Sequence, residues 1–177
     1  MKKIFICAAF FYTALCFSQG NFRINNYQVI WENVYEKPDR SEAEILASIQ
    51  SEILAYNPIN VTLTDHAISF KIDDDKINLN KLGRKAMSTP MQCSRNFDYT
   101  VLIDVKDNKY KVTIMNLAID DKASNGMLSG TFEDQMTKKA GTQFRTGSGV
   151  VDALNLFSQY LKEKYSFTGN YTDNSKW

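Results

Sequence analysis

The sequence predicts an α+β fold in which an antiparallel sheet carries helices on one face, in the order β-α-β-β-β-β-α. Two segments of alternating apolar and polar residues each contain a short polar turn, which is the pattern of a β-hairpin. Two further segments have apolar residues at helical spacing, and they flank the hairpins instead of separating their strands. Strands and helices therefore do not alternate, which favours α+β over a parallel α/β sheet.

The first 18 residues of the 177-residue chain predict an export signal. Lys2 and Lys3 precede an uncharged apolar run that ends at Phe17, and Ser18 is a small residue where a signal peptidase would cut. The run is shorter than the ~20 residues that span a bilayer, so it predicts a cleaved signal and not a membrane anchor. We therefore expect an exported protein, periplasmic or secreted, with no transmembrane segment after the signal is removed.

The predicted organisation has four parts. They are a signal peptide at 1–18, a flexible lead-in at 19–26, a single α+β domain at 27–165 and a polar C-terminal tail at 166–177. A mature chain of about 159 residues is long enough for one domain with a substantial core. The sequence shows no internal repeat that would indicate a second domain.

Charge and cysteine content argue against two classes of protein. Removal of Lys2 and Lys3 with the signal leaves 19 basic against 20 acidic residues, a net charge near −1. Nucleic acid binding needs a basic field over the phosphates, so we expect no nucleic acid partner. Cys93 is the one cysteine left after cleavage, which excludes a disulfide framework within the mature chain. A small buried side chain is its expected role, with a reactive thiol or an intermolecular bridge as alternatives.

The first two predicted elements are a strand and a capped helix. Tyr27 to Glu36 has apolar residues on both faces, which predicts a strand that is central or covered on both sides. Ser41 followed by Glu44 forms a capping box at the start of the helix, and Asn57-Pro58 stops it. The apolar stripe of this helix consists of Ile45, Leu46, Ile49, Ile53, Leu54 and Tyr56.

A hairpin follows the helix, with Asp65-His66 as its two-residue turn. The pairs that this turn sets on one apolar face are Leu63 with Ile68, Val61 with Phe70, and Ile59 with Ile72. The next segment, Asp73 to Ser94, lacks a regular period, and we predict a long ordered loop with one turn of helix.

The segment from Phe97 to Ile119 is a longer hairpin around the turn Asp107-Asn108. Asp104 faces Lys111 in this register, which is a favourable opposite-charge pair. A shift by one residue would exchange the two faces, so the register is strongly specified. The pairs on the apolar face are Val105 with Tyr110, Ile103 with Val112, and Val101 with Ile114, and Tyr99 is placed opposite Asn116.

The rest of the chain predicts two helices joined by polar segments. Asp120 to Gly130 is a polar turn region, and Thr131 to Lys139 is a short helix. The last helix runs from about Val150 to Tyr165, with Ser148 as its N-cap.

Motifs that carry chemistry are sparse. His66 is the only histidine, in a turn position that tolerates positive φ, and neither it nor Cys93 has a nucleophile motif beside it. Asp73-Asp74-Asp75 starts like a calcium loop but lacks the glycine at the sixth position, so we predict a solvated acidic turn. Gly147-Ser148-Gly149 lacks the length and the lysine of a phosphate loop. One histidine and one mature cysteine cannot supply a zinc site, and we expect no metal and no cofactor.

The face of the predicted sheet opposite the helices, called the outer face below, is the remaining candidate for a binding site. An antiparallel sheet can leave one face in water, and Leu102 and Met115 are apolar residues on this polar face. The alternatives are ordinary scattered apolar exposure or cover by the long loop. The binding candidates are Leu102, Asp104, Lys111, Thr113 and Met115. The same face carries Thr62, Ser69, Lys71 and Thr100.

Several segments together resemble a known family. They are YQVIWENVYE, KLGRKAMSTP, TVLIDVKDNKYKVTIMNL and TFEDQMTKKAGTQF, which lie between an export signal and a last amphipathic helix. From about Tyr27 to Tyr165 the chain resembles the exported domains of unknown function with a TBP-like fold that are common in Bacteroidota. The resemblance implies a β-α-β4-α fold and carries over no catalytic residue, because the family has no established activity. Such a fold does not by itself imply DNA binding.

The sequence therefore predicts an exported, non-enzymatic domain that binds a protein or a small ligand in the cell envelope. Two alternatives stay open. One is a carboxylate-based hydrolase acting outside the cytoplasm, which requires a pocket where two acidic side chains converge. The other is a domain that stabilises an envelope assembly.

Overall fold

A computed structural model describes residues 20–120 and 129–167 of the chain. Its helices are α1 (Glu42–Ile53), α2 (Phe132–Met136) and α3 (Ser148–Lys164). Its strands are β1 (Phe22–Asn25), β2 (Gln28–Glu36), β3 (Ile59–Leu63), β4 (Ala67–Lys76), β5 (Asn96–Lys106), β6 (Lys109–Asp120), β7 (Gly130–Thr131), β8 (Thr137–Lys138) and β9 (Gln143–Phe144). The predicted signal peptide lies outside the described residues.

Seven of the strands form one antiparallel sheet in the order β1-β2-β6-β5-β4-β3, with β7 paired to β6. The strands β8 and β9 pair with each other. The buried side chains of α1, α2 and α3 join those of one sheet face in a single hydrophobic core. The predicted α+β class, with an antiparallel sheet and helices on one face, is therefore confirmed. The sheet has more strands than the sequence predicts.

The segment expected as a flexible lead-in, residues 19–26, contains the edge strand β1 instead. Phe22 of β1 is only 4% exposed and packs on Phe132, with ring centroids 5.6 Å apart. At the other end Phe167 is 2% exposed, so the packed domain extends past the predicted limit at 165. Two apolar side chains in polar surroundings were too weak a signal to predict order. Residues 168–177 of the predicted tail lie outside the described part.

The central hairpin, β5 and β6, has the predicted register from Lys106 with Lys109 out to Thr100 with Met115. Beyond that point a bulge on β6 shifts the pairing, and Asp98 faces Ala118. The predicted pairing of Tyr99 with Asn116 is therefore wrong. The backbone of Asn116 has φ of 55°, which turns Leu117 into the core.

The other hairpin, β3 and β4, keeps the predicted pair of Leu63 with Ile68, but a bulge on β3 at Asn60 breaks the register farther out. The prediction that this strand buries its apolar residues against the helices is wrong, since all five residues of β3 are exposed. It is the edge strand of the sheet, and α1 lies over the more central strands β5 and β6. The turn residues Asp65 and His66 do not adopt positive φ.

The capping box that starts α1 is confirmed, with both of its hydrogen bonds present. Leu54, placed in the apolar stripe of this helix, is 70% exposed because the chain tightens there into a 3-10 turn. Ser148 is the first residue of α3 and not its N-cap, a position that Gly147 takes. Cys93 is fully buried as predicted, and burial raises the pKa of its thiol to about 12. None of the helices within 20–120 and 129–167 is both long and apolar enough to cross a bilayer.

Candidate functional site

The five predicted binding residues lie on the outer face in three consecutive rows across the sheet. Leu102 pairs with Thr113 in one row, and Asp104 pairs with Lys111 in the next. Met115 pairs with Thr100 in a third row. The turn at Asp107-Asn108 fixes this register, so the placement of these side chains follows directly from the sequence.

Four of the five candidates are partly exposed, but Thr113 is only 6% exposed. Its hydroxyl donates to Glu32 Oε1 at 3.4 Å, and its cross-strand neighbours are Glu32 and Leu102. Thr113 therefore offers a ligand little surface, and its hydroxyl is already hydrogen-bonded to Glu32.

Charges on the outer face alternate in sign from strand to strand. Arg23 on β1 contacts Glu32 on β2 at 2.6 Å, and Glu32 lies 3.8 Å from Lys111 on β6. Lys111 in turn lies 3.3 Å from Asp104 on β5. The hydrogen bond from Arg23, followed by the fields of Arg23 and Lys111, lowers the pKa of the Glu32 carboxyl. We call this row of four residues the charge ladder, and it contains two of the predicted binding residues.

A cleft of about 420 Å³ opens on the outer face beside the β5–β6 turn, and we call it the turn cleft. Its main lining residues are Val34, Ala67, Asp104, Lys106, Lys109 and Lys111. Val34, Lys111, Asp104 and Ala67 are successive cross-strand neighbours on four strands. The cleft therefore has a floor built by regular pairing, apolar at both ends and charged in the middle.

The β5–β6 turn that borders the cleft is bound to the start of α1. Asn108 accepts hydrogen bonds from the amides of Lys37 and Asp39, at 2.6 and 2.9 Å, and donates its own amide to Arg40. Asp107 accepts from the amide of Glu42 at 2.9 Å, which satisfies one of the free N–H groups in the first turn of α1. The side chains beside this turn are therefore presented by a rigid backbone.

His66 lies at the rim of the turn cleft and makes a hydrogen-bonded ion pair with Glu42. The hydrogen bond and the charge of Glu42 raise the pKa of His66 above its ordinary value. Its side chain is 78% exposed. The pair links α1 to the β3–β4 turn.

A second group of interacting polar side chains was not predicted from the sequence. We call it the Asp75 cluster, and it consists of Asp75, Tyr99, Tyr160, Lys164 and Tyr165. The Asp75 carboxylate accepts from Tyr99 at 2.6 Å, from Tyr160 at 2.7 Å and from Lys164 at 2.7 Å. Tyr165 donates to the Tyr99 hydroxyl at 2.9 Å. The predicted solvated acidic turn is therefore wrong for Asp75, whose side chain is only 10% exposed. A bulge on β4 at Asp74 causes this, because it redirects the next side chain.

Lys164 in this cluster is surrounded by tyrosine rings as well as by the carboxylate. Its ammonium lies 5.1 to 5.7 Å from the ring centroids of Tyr56, Tyr99 and Tyr160, which is cation–π distance. Burial lowers the pKa of Lys164, against the opposing effect of Asp75, and burial also raises the pKa of Tyr160. One signal was available in the sequence: Tyr99 on the apolar face needs a partner for its buried hydroxyl.

Hydrogen-bond donors occupy the acceptor positions of the Asp75 carboxylate, which disfavours a role as a catalytic base. Besides the three side-chain donors, Oδ1 accepts the backbone amide of Lys76 at 3.0 Å. A general base must leave a lone pair for the substrate proton. The arrangement instead fastens α3 to β4 and β5.

Two solved structures are similar to this chain. A TBP-like protein from Parabacteroides distasonis is 16% identical, with a TM-score of 0.50 over 78% of this chain and 85% of that one. A DUF4468 family protein from Bacteroides ovatus is 12% identical, with a TM-score of 0.55 over 88% of this chain and 94% of that one. No protein-family model and no curated protein matches the sequence.

These similarities confirm the TBP-like fold and the predicted resemblance to Bacteroidota domains of unknown function. At such identities they establish the fold alone and transfer no activity.

Proposed function

We propose that this protein is an exported, non-enzymatic domain that binds a small ligand on the outer face of its sheet. The observation that carries the proposal is the turn cleft, whose volume of about 420 Å³ lies in the range of small-molecule sites. Asp104 and Lys111 belong to its floor, and Val34 is a half-exposed apolar side chain at its edge. A few charged groups beside apolar surface are what orient and hold a small molecule.

The position of the cleft also supports the proposal. Most of its lining residues belong to the outer face, and Val105 and Tyr110 of the core also border it. Leu102 and Met115 extend the partly exposed surface away from the cleft along β5 and β6. The alternation of polar and apolar residues in the sequence predicted this face as the binding surface, and the cleft is a concave part of it.

The carboxylate hydrolase receives less support. Asp75 is the enclosed carboxylate of the Asp75 cluster, and its acceptor positions are already used by four donors. Asp104 is held by Lys111 in the charge ladder. Glu32 shares Lys111 with Asp104, but the hydrogen bond and charge of Arg23 lower the pKa of Glu32, which disfavours the protonated general acid that glycoside hydrolysis requires.

A cleft-filling variant tests the proposal for any small ligand, whatever its charge. Ala67 forms part of the floor, and Ala67→Phe would occupy the cleft with an aromatic side chain that a strand tolerates. Thr100→Phe is the matched control, since it places the same ring on the same face two rows away. Ligands would be found by a thermal-shift screen of residues 19–177.

Every ligand of the cleft should lose affinity for Ala67→Phe and keep it for Thr100→Phe. Equal affinities for the two variants, or a screen of the folded protein that finds no ligand, would contradict the proposal. A protein partner is a separate outcome: it would be captured from envelope fractions and released by Leu102→Lys with Met115→Lys, but not by Met87→Lys with Met91→Lys. That outcome would show that the outer face binds a protein and not a small ligand.

Export supports a role in the cell envelope and has its own test. Lys2, Lys3 and the apolar run to Phe17 are the features of a signal peptide. Mass spectrometry of the protein from its own cells should find a chain that begins near Gln19, outside the cytoplasm. An intact N-terminus in the cytoplasmic fraction would reject export.

A further inference from the structure

Lys106 and Lys109 border the turn cleft in an arrangement that disfavours the fold. They are direct cross-strand neighbours beside the β5–β6 turn, and both are exposed. Like charges directly opposite each other destabilise an antiparallel pair. Within the part of the chain that the structure describes, neither ammonium makes a hydrogen bond or an ion pair.

The carboxylates near the cleft offset only part of this charge. Asp104 is bound to Lys111, and Glu42 is bound to His66. Glu36 on β2 lies opposite Lys109 and reduces its field, but it does not line the cleft. The lining contains three lysines, Lys106, Lys109 and Lys111, and one carboxylate, Asp104, so the cleft carries excess positive charge.

The backbone beneath Lys106 and Lys109 is fixed before any ligand arrives. The turn between them is held by the bonds of Asp107 and Asn108 to residues 37–42. Binding groups on a rigid frame lose less conformational entropy when a ligand binds. Two like charges held side by side at a rigid turn are an arrangement that an anion would stabilise.

We infer that the ligand of the turn cleft is a small organic anion, an inference that rests on the function proposed above. Its carboxylate, phosphate or sulfate group lies between Lys106 and Lys109, and its apolar body lies on Val34 and Ala67. Val34 is 51% exposed, so covering it removes apolar surface from water. Ammonium groups act as point charges without a preferred planar geometry, so the site selects for negative charge more than for one type of anion.

Four probes separate the parts of this inference: phenyl phosphate, inorganic phosphate, benzyl alcohol and benzylamine. Phenyl phosphate carries an anionic group and an apolar ring, and inorganic phosphate carries the anionic charge alone. Benzyl alcohol carries the apolar ring without a charge, and benzylamine carries the ring with a positive charge. Binding to residues 19–177 would be measured by NMR titration, following the amides of β5, β6 and the turn. Phenyl phosphate should bind at the cleft, more tightly than the other three and less tightly as salt is added.

Removing the two charges tests the role of the lysines. The double variant Lys106→Gln with Lys109→Gln should weaken phenyl phosphate binding about tenfold or more. It should also unfold close to the parent temperature, because the lost repulsion between Lys106 and Lys109 and the lost attraction between Lys109 and Glu36 oppose each other. The control is Lys138→Gln with Lys162→Gln, which removes two exposed charges elsewhere and should leave binding unchanged.

The outcomes distinguish this inference from the proposed function. Equal phenyl phosphate binding by the two double variants, or tighter binding of benzylamine at the cleft, would overturn the inference that the ligand is an anion. The proposal that a small ligand binds on the outer face would remain. Equal binding of inorganic and phenyl phosphate would overturn the inference that an apolar part of the ligand contributes to its affinity. If no probe binds and Ala67→Phe also changes no ligand found by screening, both the inference and the proposed function fail.

Discussion

At the scale of single residues, Asp75 shows how one backbone irregularity creates a buried charge. The bulge at Asp74 directs the Asp75 carboxylate toward α3, where it meets Lys164 at 2.7 Å. Their side chains are only 10% and 12% exposed, so each charge depends on the other. Loss of one partner from a buried ion pair leaves an unpaired charge in a poorly solvated site.

We expect Asp75→Asn to destabilise the fold by about 3 kcal/mol, since it removes the counter-charge of Lys164. The free energy of unfolding in urea would measure this. The double variant Asp75→Asn with Lys164→Met should be less destabilised than the sum of the single variants, because no unpaired charge remains. A cost below about 1 kcal/mol for Asp75→Asn would mean that water already screens the pair.

A second prediction concerns His66 and its pH dependence. Glu42 raises the pKa of His66 in the folded state, so the folded chain binds the proton more tightly than the unfolded chain. The resulting stability is fully present below the unfolded pKa of about 6.5 and is lost as the pH rises through the folded value. The melting temperature of the parent should therefore fall, relative to Glu42→Gln, as the pH rises from about 6 to 8.

The His66 ring can also be titrated directly by NMR in a protein without an affinity tag. The assignment is secure because the sequence contains one histidine. Glu42→Gln should return its pKa toward the ordinary value. An ordinary or lowered pKa in the parent would show that the ion pair with Glu42 is not formed in solution.

At the scale of elements, local patterns in the sequence predict a strand well until a bulge interrupts it. The register of β5 and β6 follows from the turn Asp107-Asn108 up to the pair Thr100 with Met115. Asn60 and Asn116 then break the two predicted hairpin registers, and Asp74 breaks the pairing of β4 with β5. All three residues have φ between 54° and 55°. Asn and Asp tolerate this conformation best among residues with a side chain. Their presence inside strands was therefore a usable signal for the bulges.

The strand β1 was missed because its order depends on packing and not on its own pattern. Gly20, just before it, has φ of +57°, and a Cβ at this position would lie 2.7 Å from Cβ of Ser158 on α3. We expect Gly20→Ala to destabilise the fold by more than about 1 kcal/mol, through strain and a steric clash. Thermal unfolding would measure the effect.

Gly147→Ala is the matched control, because a Cβ there meets nothing within 4 Å and its φ of −62° suits alanine. It should unfold close to the parent temperature. If Gly20→Ala also does so, then β1 and the turn before it are not packed on α3 in solution.

At the scale of the whole molecule, the order of the sheet decides the candidate site. The pairing of β2 with β6 brings Val34 beside Lys111, and the two residues are far apart in the sequence. No local pattern predicts which distant strands will pair, so the outer-face residues of one hairpin were predictable while the turn cleft was not. The same holds for the Asp75 cluster, which needs β4, β5 and α3 together.

The net charge of the molecule and the charges on its outer face both bear on nucleic acid binding. The DNA-binding protein TBP binds in the minor groove and bends the duplex, and phosphate contacts of this kind need a field of basic residues. Here Glu32 and Asp104 alternate with Arg23 and Lys111 on the outer face, and the chain after residue 18 has 19 basic and 20 acidic residues. The two carboxylates of the charge ladder would repel a phosphate backbone laid across the sheet.

We therefore expect residues 19–177 to bind duplex DNA with a dissociation constant weaker than about 100 μM at roughly 150 mM salt. Fluorescence anisotropy of a labelled duplex would measure this. The variant Glu32→Lys with Asp104→Lys should gain salt-dependent binding, because it turns the charge ladder into a basic stripe. Tight, salt-dependent binding by the parent would contradict the prediction and would mean that this chain shares with TBP a nucleic acid surface as well as a fold.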